Sequence, residues 1–341
     1  MKRVMCVGLA AAMLSGCERP NAGAGPPPAA ANTSGSGAGQ VAAAKRAMRV
    51  VVTIAPLKGL VAELAPAGTE ITMLMQPGRS EHGYEFTPAD IQTISQADAV
   101  VYVGLGLEPT VAAFVEKRVS ATREAMSLGR ILKLEEGAKP HEHKPDEPGH
   151  SHGGNELGHD GHHHGPIDVH VWLDPVLMKE AVPGLNEMLM TAMKRCGATS
   201  AEIEAQKGKG AALVEKLAAL DGEIKEALKP FAGRSIVTHH AAFGRLAERY
   251  GLKVAEVLRP IETSEPTPAQ MAAVAEAIRK EGIKTIFIEP QFDATAAKRV
   301  AELAGVQVMT LDPLGRGDYF ALLRENVDAL VKGFAASGNS R

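Results

Sequence analysis

Arg49-Val50-Val51-Val52-Thr53-Ile54, with a helical pattern from Leu57 to Ala65 behind it, sets the rhythm from which the fold is read. β-branched side chains are stiff at χ1 and fit a pleated surface, and a short apolar run suits a strand covered on both faces. The unit recurs. Ile71–Met75 and Ala99–Gly104 read as further strands, with Pro88–Gln96 and Pro109–Ser120 as the helices beside them. Thr87-Pro88-Ala89-Asp90 has the form of a capping box with proline at the first helical position. Arg130–Leu134 reads as a fourth strand, and Val169–Leu173 as the strand that closes this half.

The second half keeps the same beat. Ser235–His240, Lys253–Leu258, Thr285–Glu289 and Val306–Leu311 read as strands, and Ala242–Tyr250, Pro268–Lys280, Ala294–Ala304 and Tyr319–Ala335 as helices. Thr267-Pro268-Ala269-Gln270 is again a capping box. Between the halves, Leu213, Leu217, Leu220, Ile224 and Leu228 form one apolar stripe at helical spacing. Thr199 with Glu202 is placed to cap the start of that helix and Pro230 to end it, while Gly208 and Gly210 weaken its first turns. A helix of roughly 28 residues spans about 40 Å, enough to run the height of two lobes. Strands alternating with helices imply parallel sheets covered on both faces. The expected fold is therefore α/β: two doubly wound parallel-sheet lobes, residues 48–175 and 231–341, joined by a long rigid helix within a linking segment at 176–230.

The flanks carry addresses rather than fold. Lys2 and Arg3 precede an apolar run from Val4 to Leu14, so residues 1–16 read as a signal peptide too short to span a bilayer. Its end, Leu14-Ser15-Gly16-Cys17, resembles a bacterial lipobox, which implies cleavage before Cys17 and lipidation of that thiol. Residues 17–47, rich in Ala, Gly, Pro and Ser, then read as a tether between membrane and folded domain, outside the cytoplasm. With Cys6 removed and Cys17 lipidated, Cys196 is left single and no internal disulfide framework is possible; no function is assigned to it. A net charge of −3 and 4% aromatic residues give no basic, stacking surface for nucleic acid.

Eight of the twelve histidines lie in one Gly- and Pro-rich stretch: His141, His143, His150, His152, His159, His162, His163 and His164. Neutral imidazole offers a lone pair to borderline metals at little proton cost, and such a tract cannot bury a core, so residues 141–165 read as a disordered metal-collecting loop of secondary, weaker sites. The other four histidines are His82, His170, His239 and His240. Open α/β sheets collect ligands outside the carboxyl ends of their strands. His82 follows the strand ending at Met75, His239 and His240 end the strand from Ser235, and Asp312 follows Leu311, so these positions converge on an interlobe cleft with His170. Only one of His239 and His240 should face the site, since strand neighbours point to opposite sides. Asp168 is placed to orient the His170 imidazole. Glu81 reads as a solvent-exposed loop acid, Glu289-Pro290 as a structural turn or lobe–lobe contact, and Trp172 as core.

Taken together, Glu81-His82-Gly83-Tyr84-Glu85-Phe86-Thr87-Pro88, Asp168-Val169-His170-Val171-Trp172-Leu173-Asp174-Pro175 and His240-Ala241-Ala242-Phe243-Gly244 carry a family signature. Glu265-Pro266-Thr267-Pro268, Phe287-Ile288-Glu289-Pro290-Gln291-Phe292 and Leu311-Asp312-Pro313-Leu314-Gly315 extend it. The chain resembles the zinc-specific solute-binding proteins of bacterial ABC importers, the ZnuA-type branch of the metal-binding cluster, from Arg49 to Ala335. That resemblance implies metal ligands at His82, His170 and His240, with Asp312 as a fourth, and Zn(II) as the transported ligand. It implies an ABC permease as partner, membrane attachment through the lipid, a monomer and no enzymatic activity. The alternatives within and beyond that class are a manganese- or iron-binding receptor and a zinc-dependent hydrolase. Histidine at position 240, where manganese and iron relatives carry glutamate, points to zinc.

Overall fold

The computed structural model describes residues 45–82, 84–119, 124–134, 168–260 and 265–335. The expected signal peptide, the expected lipidation site at Cys17 and the eight histidines from His141 to His164 lie outside the described residues.

The N-terminal sheet is built from β1 (Arg49–Val52), β2 (Glu70–Met73), β3 (Ala99–Tyr102) and β4 (Glu124–Ser127), in the order β2-β1-β3-β4. Every pairing is parallel, with Val50 opposite both Ile71 and Ala99. Around it lie α1 (Ala55–Leu64), α2 (Pro88–Gln96), α3 (Pro109–Phe114) and the short α4 (Leu128–Ile131). The predicted strand at Arg130–Leu134 is displaced. The fourth strand ends at Ser127, whose hydroxyl accepts from Arg130 N and so caps a helical turn where further strand was expected. Val169–Leu173 is not a strand either. The Asp168 carboxylate captures His170 N, and Val171–Leu173 closes into a 3₁₀ turn, with Leu173 N bonded to His170 O.

Two helices follow instead of one. α5 (Pro175–Arg195) starts on the Asp174 cap, and α6 (Ser200–Leu228) starts on the predicted Thr199/Glu202 capping box. The stripe Leu213, Leu217, Leu220, Ile224, Leu228 is buried throughout. Burial of each such side chain stabilises by about 1.5–3 kcal/mol, so this face holds α6 far more firmly than its glycine-weakened first turns loosen it. The second sheet comprises β5 (Ser235–Thr238), β6 (Lys253–Val257), β7 (Thr285–Ile288) and β8 (Gln307–Thr310), parallel throughout in the order β6-β5-β7-β8. Its helices are α7 (Gly244–Arg249), α8 (Pro268–Glu281), α9 (Thr295–Ala304) and α10 (Tyr319–Ala335).

The sheets share one core. A continuous apolar cluster runs from Val50 and Leu57 through Trp172 and the α6 stripe to Phe243, Phe287 and Leu330. Polar pins reinforce it: Trp172 Nε1 donates to Pro313 O at 2.7 Å, Tyr319 OH donates to Trp172 O at 2.9 Å, and Arg249 binds Asp174 through Nε and Nη2 at 2.9 and 2.5 Å. Gly59 of α1 lies so close to the start of α10 that a Cβ would stand 2.5 Å from Tyr319 N and 2.9 Å from Gly317 O. Gly59→Ala should therefore destabilise the protein by about 1–3 kcal/mol, because backbone rather than a flexible side chain must shift. An unchanged urea midpoint would show that the α1–α10 contact yields freely.

Glu108 adds a pH-dependent element to the N-terminal lobe. Its buried carboxylate accepts from Thr53 Oγ1, Val103 N and Gly104 N. Burial nevertheless pushes its pKa from 4.5 up to about 7, against those hydrogen bonds. A carboxyl raised in the folded state favours folding most below its unfolded pKa and loses that contribution as pH rises through the folded value. Stability measured by urea unfolding should thus decline between about pH 4.5 and 7 more steeply in the native chain than in Glu108→Gln. Parallel slopes would remove Glu108 from this role.

Candidate metal centre

The carboxyl ends of the strands supply the site, as parallel sheets dictate. Glu81 and His82 follow β2, on a loop that Tyr84 holds by donating to Leu74 O at 3.0 Å. His240 lies just beyond β5, its carbonyl accepting from Thr238 Oγ1 at 2.9 Å. His170 sits in the segment 168–174 that the sequence assigns to the N-terminal half. One ligand atom from each of Glu81, His82, His170 and His240 falls within 4.8 Å of the other three.

His170 is the hub. Its Nε2 stands 3.1 Å from His82 Nε2 and 3.1 Å from His240 Nε2, and 3.5 Å from Glu81 Oε1, which in turn is 3.8 Å from His240 Nε2. A tetrahedral ion with bonds of about 2.0–2.1 Å has ligand–ligand edges of about 3.3 Å, so these spacings suit one ion with little rearrangement. Glu81, His170 and His240 are each under 5% exposed, while His82 reaches the cluster from the exposed side.

The other ring nitrogens of His170 and His240 are held as well. His170 Nδ1 lies 2.8 Å from Asp168 Oδ1, which fulfils the expected orienting role. His240 Nδ1 makes a very short contact with Glu289 Oε1, and His240 N donates to the same oxygen at 3.2 Å. Glu289 is thus a buried support for His240 rather than a simple turn residue. Glu81 is not the solvent-exposed acid expected from its loop position: it is buried, and neither carboxylate oxygen has a hydrogen-bond partner among the described residues. Asp312, by contrast, is not in the cluster. Its Oδ1 accepts from Gln291 Nε2 at 2.8 Å and Leu314 N at 3.0 Å, closing a turn after β8. His239 turns away, its ring 4.7 Å from that of Phe292. The sequence signal for Glu81 was its adjacency to His82, and for Glu289 its place at a strand end; burial alone separates both from ordinary loop acids.

The electrostatics are uneven. Burial works against the charged form of His170, yet Asp168 and Glu81 raise its pKa to about 9. Burial lowers His82 to about 4. Burial also acts to raise Glu81, but His170 and His240 hold it below its ordinary value. The metal-free site therefore carries its proton chiefly on His170, opposite a charged Glu81.

Two parallel-sheet lobes sharing a core, with imidazoles and a carboxylate gathered at their strand ends, define a two-lobed α/β protein with a metal-ligating cluster. Residues 50–333 match the ZnuA family model, described as the periplasmic zinc-uptake complex component A, and the chain belongs to that family. Zinc-binding protein AdcA of Streptococcus pyogenes is 30% identical over 292 residues, covering 83% of this chain and 55% of the relative. The chain thus spans about half the length of that relative. High-affinity zinc uptake system protein ZnuA of Yersinia pestis is 27% identical, covering 79% of this chain and 83% of the relative. Among solved structures, a ZnuA crystal structure matches with a TM-score of 0.67 at 19% identity, over 84% of this chain and 99% of that one. Periplasmic zinc-binding protein TroA from Treponema pallidum gives 0.67 at 21% identity with the same coverage. These structural likenesses support the fold.

In the metal-free protein, the His170 ring should remain protonated until about pH 9. Asp168→Asn removes a raising charge, so its titration should move down toward the ordinary value of about 6.5. Imidazole resonances followed by NMR across pH 5–10 check this (roughly the range spanning both values); an unmoved midpoint would disconnect Asp168 from His170.

Proposed function

We propose that the protein is an extracytoplasmic receptor that captures Zn(II) and delivers it to an ABC permease for import. The observation that carries this reading is the convergence of His82, His170 and His240 Nε2 with an oxygen of the buried Glu81. Three imidazoles suit a borderline ion better than Mn²⁺, which favours oxygen ligands. Glu81 is the fourth ligand in this proposal, and Asp312 stays bound to Gln291 and Leu314. Four protein ligands complete a tetrahedron and leave no open position for a catalytic water, which favours a receptor over a hydrolase.

Family membership and the names of the relatives support zinc as cargo and a location outside the cytoplasm. Membrane attachment through Cys17 is part of the proposal; a Streptococcus pneumoniae relative is named zinc-binding lipoprotein AdcA. No helix of the described residues is long and apolar enough to cross a membrane. The chain acts as a monomer. Its histidines from His141 to His164, outside the described residues, collect zinc weakly and pass it to the cleft, since mixed His, Asp and Glu at irregular spacing fit several competing geometries.

Isothermal titration tests the site. One zinc should bind tightly, and His240→Ala and Glu81→Ala should each weaken it at least about tenfold, whereas Asp312→Ala and His239→Ala should change it little. Full-strength binding by Glu81→Ala, with loss in Asp312→Ala, would reverse the choice of carboxylate. Deleting residues 141–164 should leave the tight site intact and abolish the weaker ones.

Proton linkage follows from His170. Zinc needs the Nε2 lone pair, and below about pH 9 that nitrogen holds a proton. Binding near neutral pH should then release about one proton from His170, and affinity should rise by about tenfold per pH unit until that value is reached. Titrations in buffers of different ionisation enthalpy measure the release directly; a count of zero would contradict the assignment.

A further inference from the structure

The segment 168–174 is fastened chiefly by the C-terminal lobe. Arg249 holds Asp174 at one end, and Pro313 and Tyr319 hold Trp172 in the middle. At the other end, next to His170, stands Arg245. Its Nε and Nη2 both donate to the Asp168 carbonyl, at 3.0 and 2.7 Å, and Nε lies 3.8 Å from Asp168 Oδ2. The Asp168 carboxylate in turn engages both His170 N and His170 Nδ1, at 2.9 and 2.8 Å.

We propose that Arg245 is a positioning residue for zinc capture: by fixing Asp168 it sets the orientation of His170. The inference rests on the receptor reading above. Arg245 lies on α7, five positions after His240 and separated from it only by the 3₁₀ turn Ala241–Phe243. One short stretch of the C-terminal lobe therefore supplies a ligand and clamps the orienter of another. The coupling matters because His170 Nε2 is the atom closest to both partner imidazoles, at 3.1 Å each, so a rotation of its ring opens two edges of the tetrahedron together. Arginine suits the task because its planar fork places two donors on one carbonyl, whereas lysine offers a point charge on a flexible stem. The Arg245 side chain is only 23% exposed and both fork donors are engaged on Asp168, so the fork is held in place rather than wandering in solvent.

Zinc titration and the visible spectrum of the Co(II)-loaded protein, which reports ligand geometry, test the role in Arg245→Met, Arg245→Lys and Arg249→Met. Arg245→Met should lose about tenfold in zinc affinity and shift the Co(II) bands, with Arg245→Lys falling between it and the native chain. Arg249→Met breaks a pin at the far end of the same segment. It should lower the urea midpoint but keep affinity within about twofold and leave the Co(II) spectrum native. A folded Arg245→Met with native affinity and spectrum overturns the proposal, and so does an Arg249→Met that loses as much affinity. If Arg245→Met does not fold, Arg245→Lys decides on the same two readouts. A native chain that takes up no zinc overturns the receptor reading itself, which separates that failure from the failure of the clamp.

Discussion

Bringing three imidazole nitrogens to about a zinc tetrahedron's edge from one another is the constraint on which the rest of this structure depends. Imidazoles so placed have no mutual hydrogen bonding that all of them can satisfy, and burial penalises any proton that would relieve them. The fold meets this by gripping the rings from behind. Asp168 takes His170 Nδ1, and Glu289 takes His240 Nδ1, so each Nε2 is left facing the centre. Glu81 contributes the compensating charge from inside the cluster, with both its oxygens otherwise unpartnered among the described residues. The half-buried Asp168 and the buried Glu289 behind the rings, with the buried Glu81 beside them, make the site a charged network in a largely low-dielectric setting, where geometry is costly to disturb.

Such a network holds its shape only on a stiff frame. Ligands come from both sheets, so motion of one lobe against the other would pull the imidazoles apart. The apolar cluster that runs through Trp172 and the α6 stripe opposes that motion, and the backbone approach at Gly59 leaves no slack between α1 and α10. The segment 168–174 is the point where frame and site meet. It is N-terminal by sequence, pinned by Arg245, Arg249, Pro313 and Tyr319 of the C-terminal lobe, and it carries the central imidazole of the cluster. In the proposed receptor role, zinc would leave this frame by local movement near the site more than by wide opening of the lobes.

The unequal protonation of the rings belongs to the same design. His82 reaches the cluster from the exposed side and holds its proton only under acid conditions, whereas His170 retains one beyond neutrality because two carboxylates flank it. The raised His170 thus favours a charged ring beside the Glu81 carboxylate. In the proposed receptor role, zinc would displace the His170 proton while Asp168 keeps its hold on Nδ1.

The sequence by itself determined the alternation of strands and helices, the capping boxes at Thr87, Thr199 and Thr267, and the buried stripe of α6, because these rest on local chemistry and periodicity. It also singled out His82 and His240, which follow strand ends where parallel sheets collect ligands, and set beside them His170, on a segment expected to be a strand and found as a 3₁₀ turn. Local side-chain capture misled the reading at Ser127 and Asp168, where a hydroxyl and a carboxylate took backbone N–H groups that a strand would have used. Only the tertiary structure decided which acids serve the site. Glu81 and Asp312 are both plausible carboxylates in one dimension; packing buried the first without partners and gave the second to Gln291 and Leu314. Glu289 and Arg245 are distant in sequence from the rings they steady or from the orienter they hold, and no periodicity or spacing announces a contact that the folding of two lobes creates.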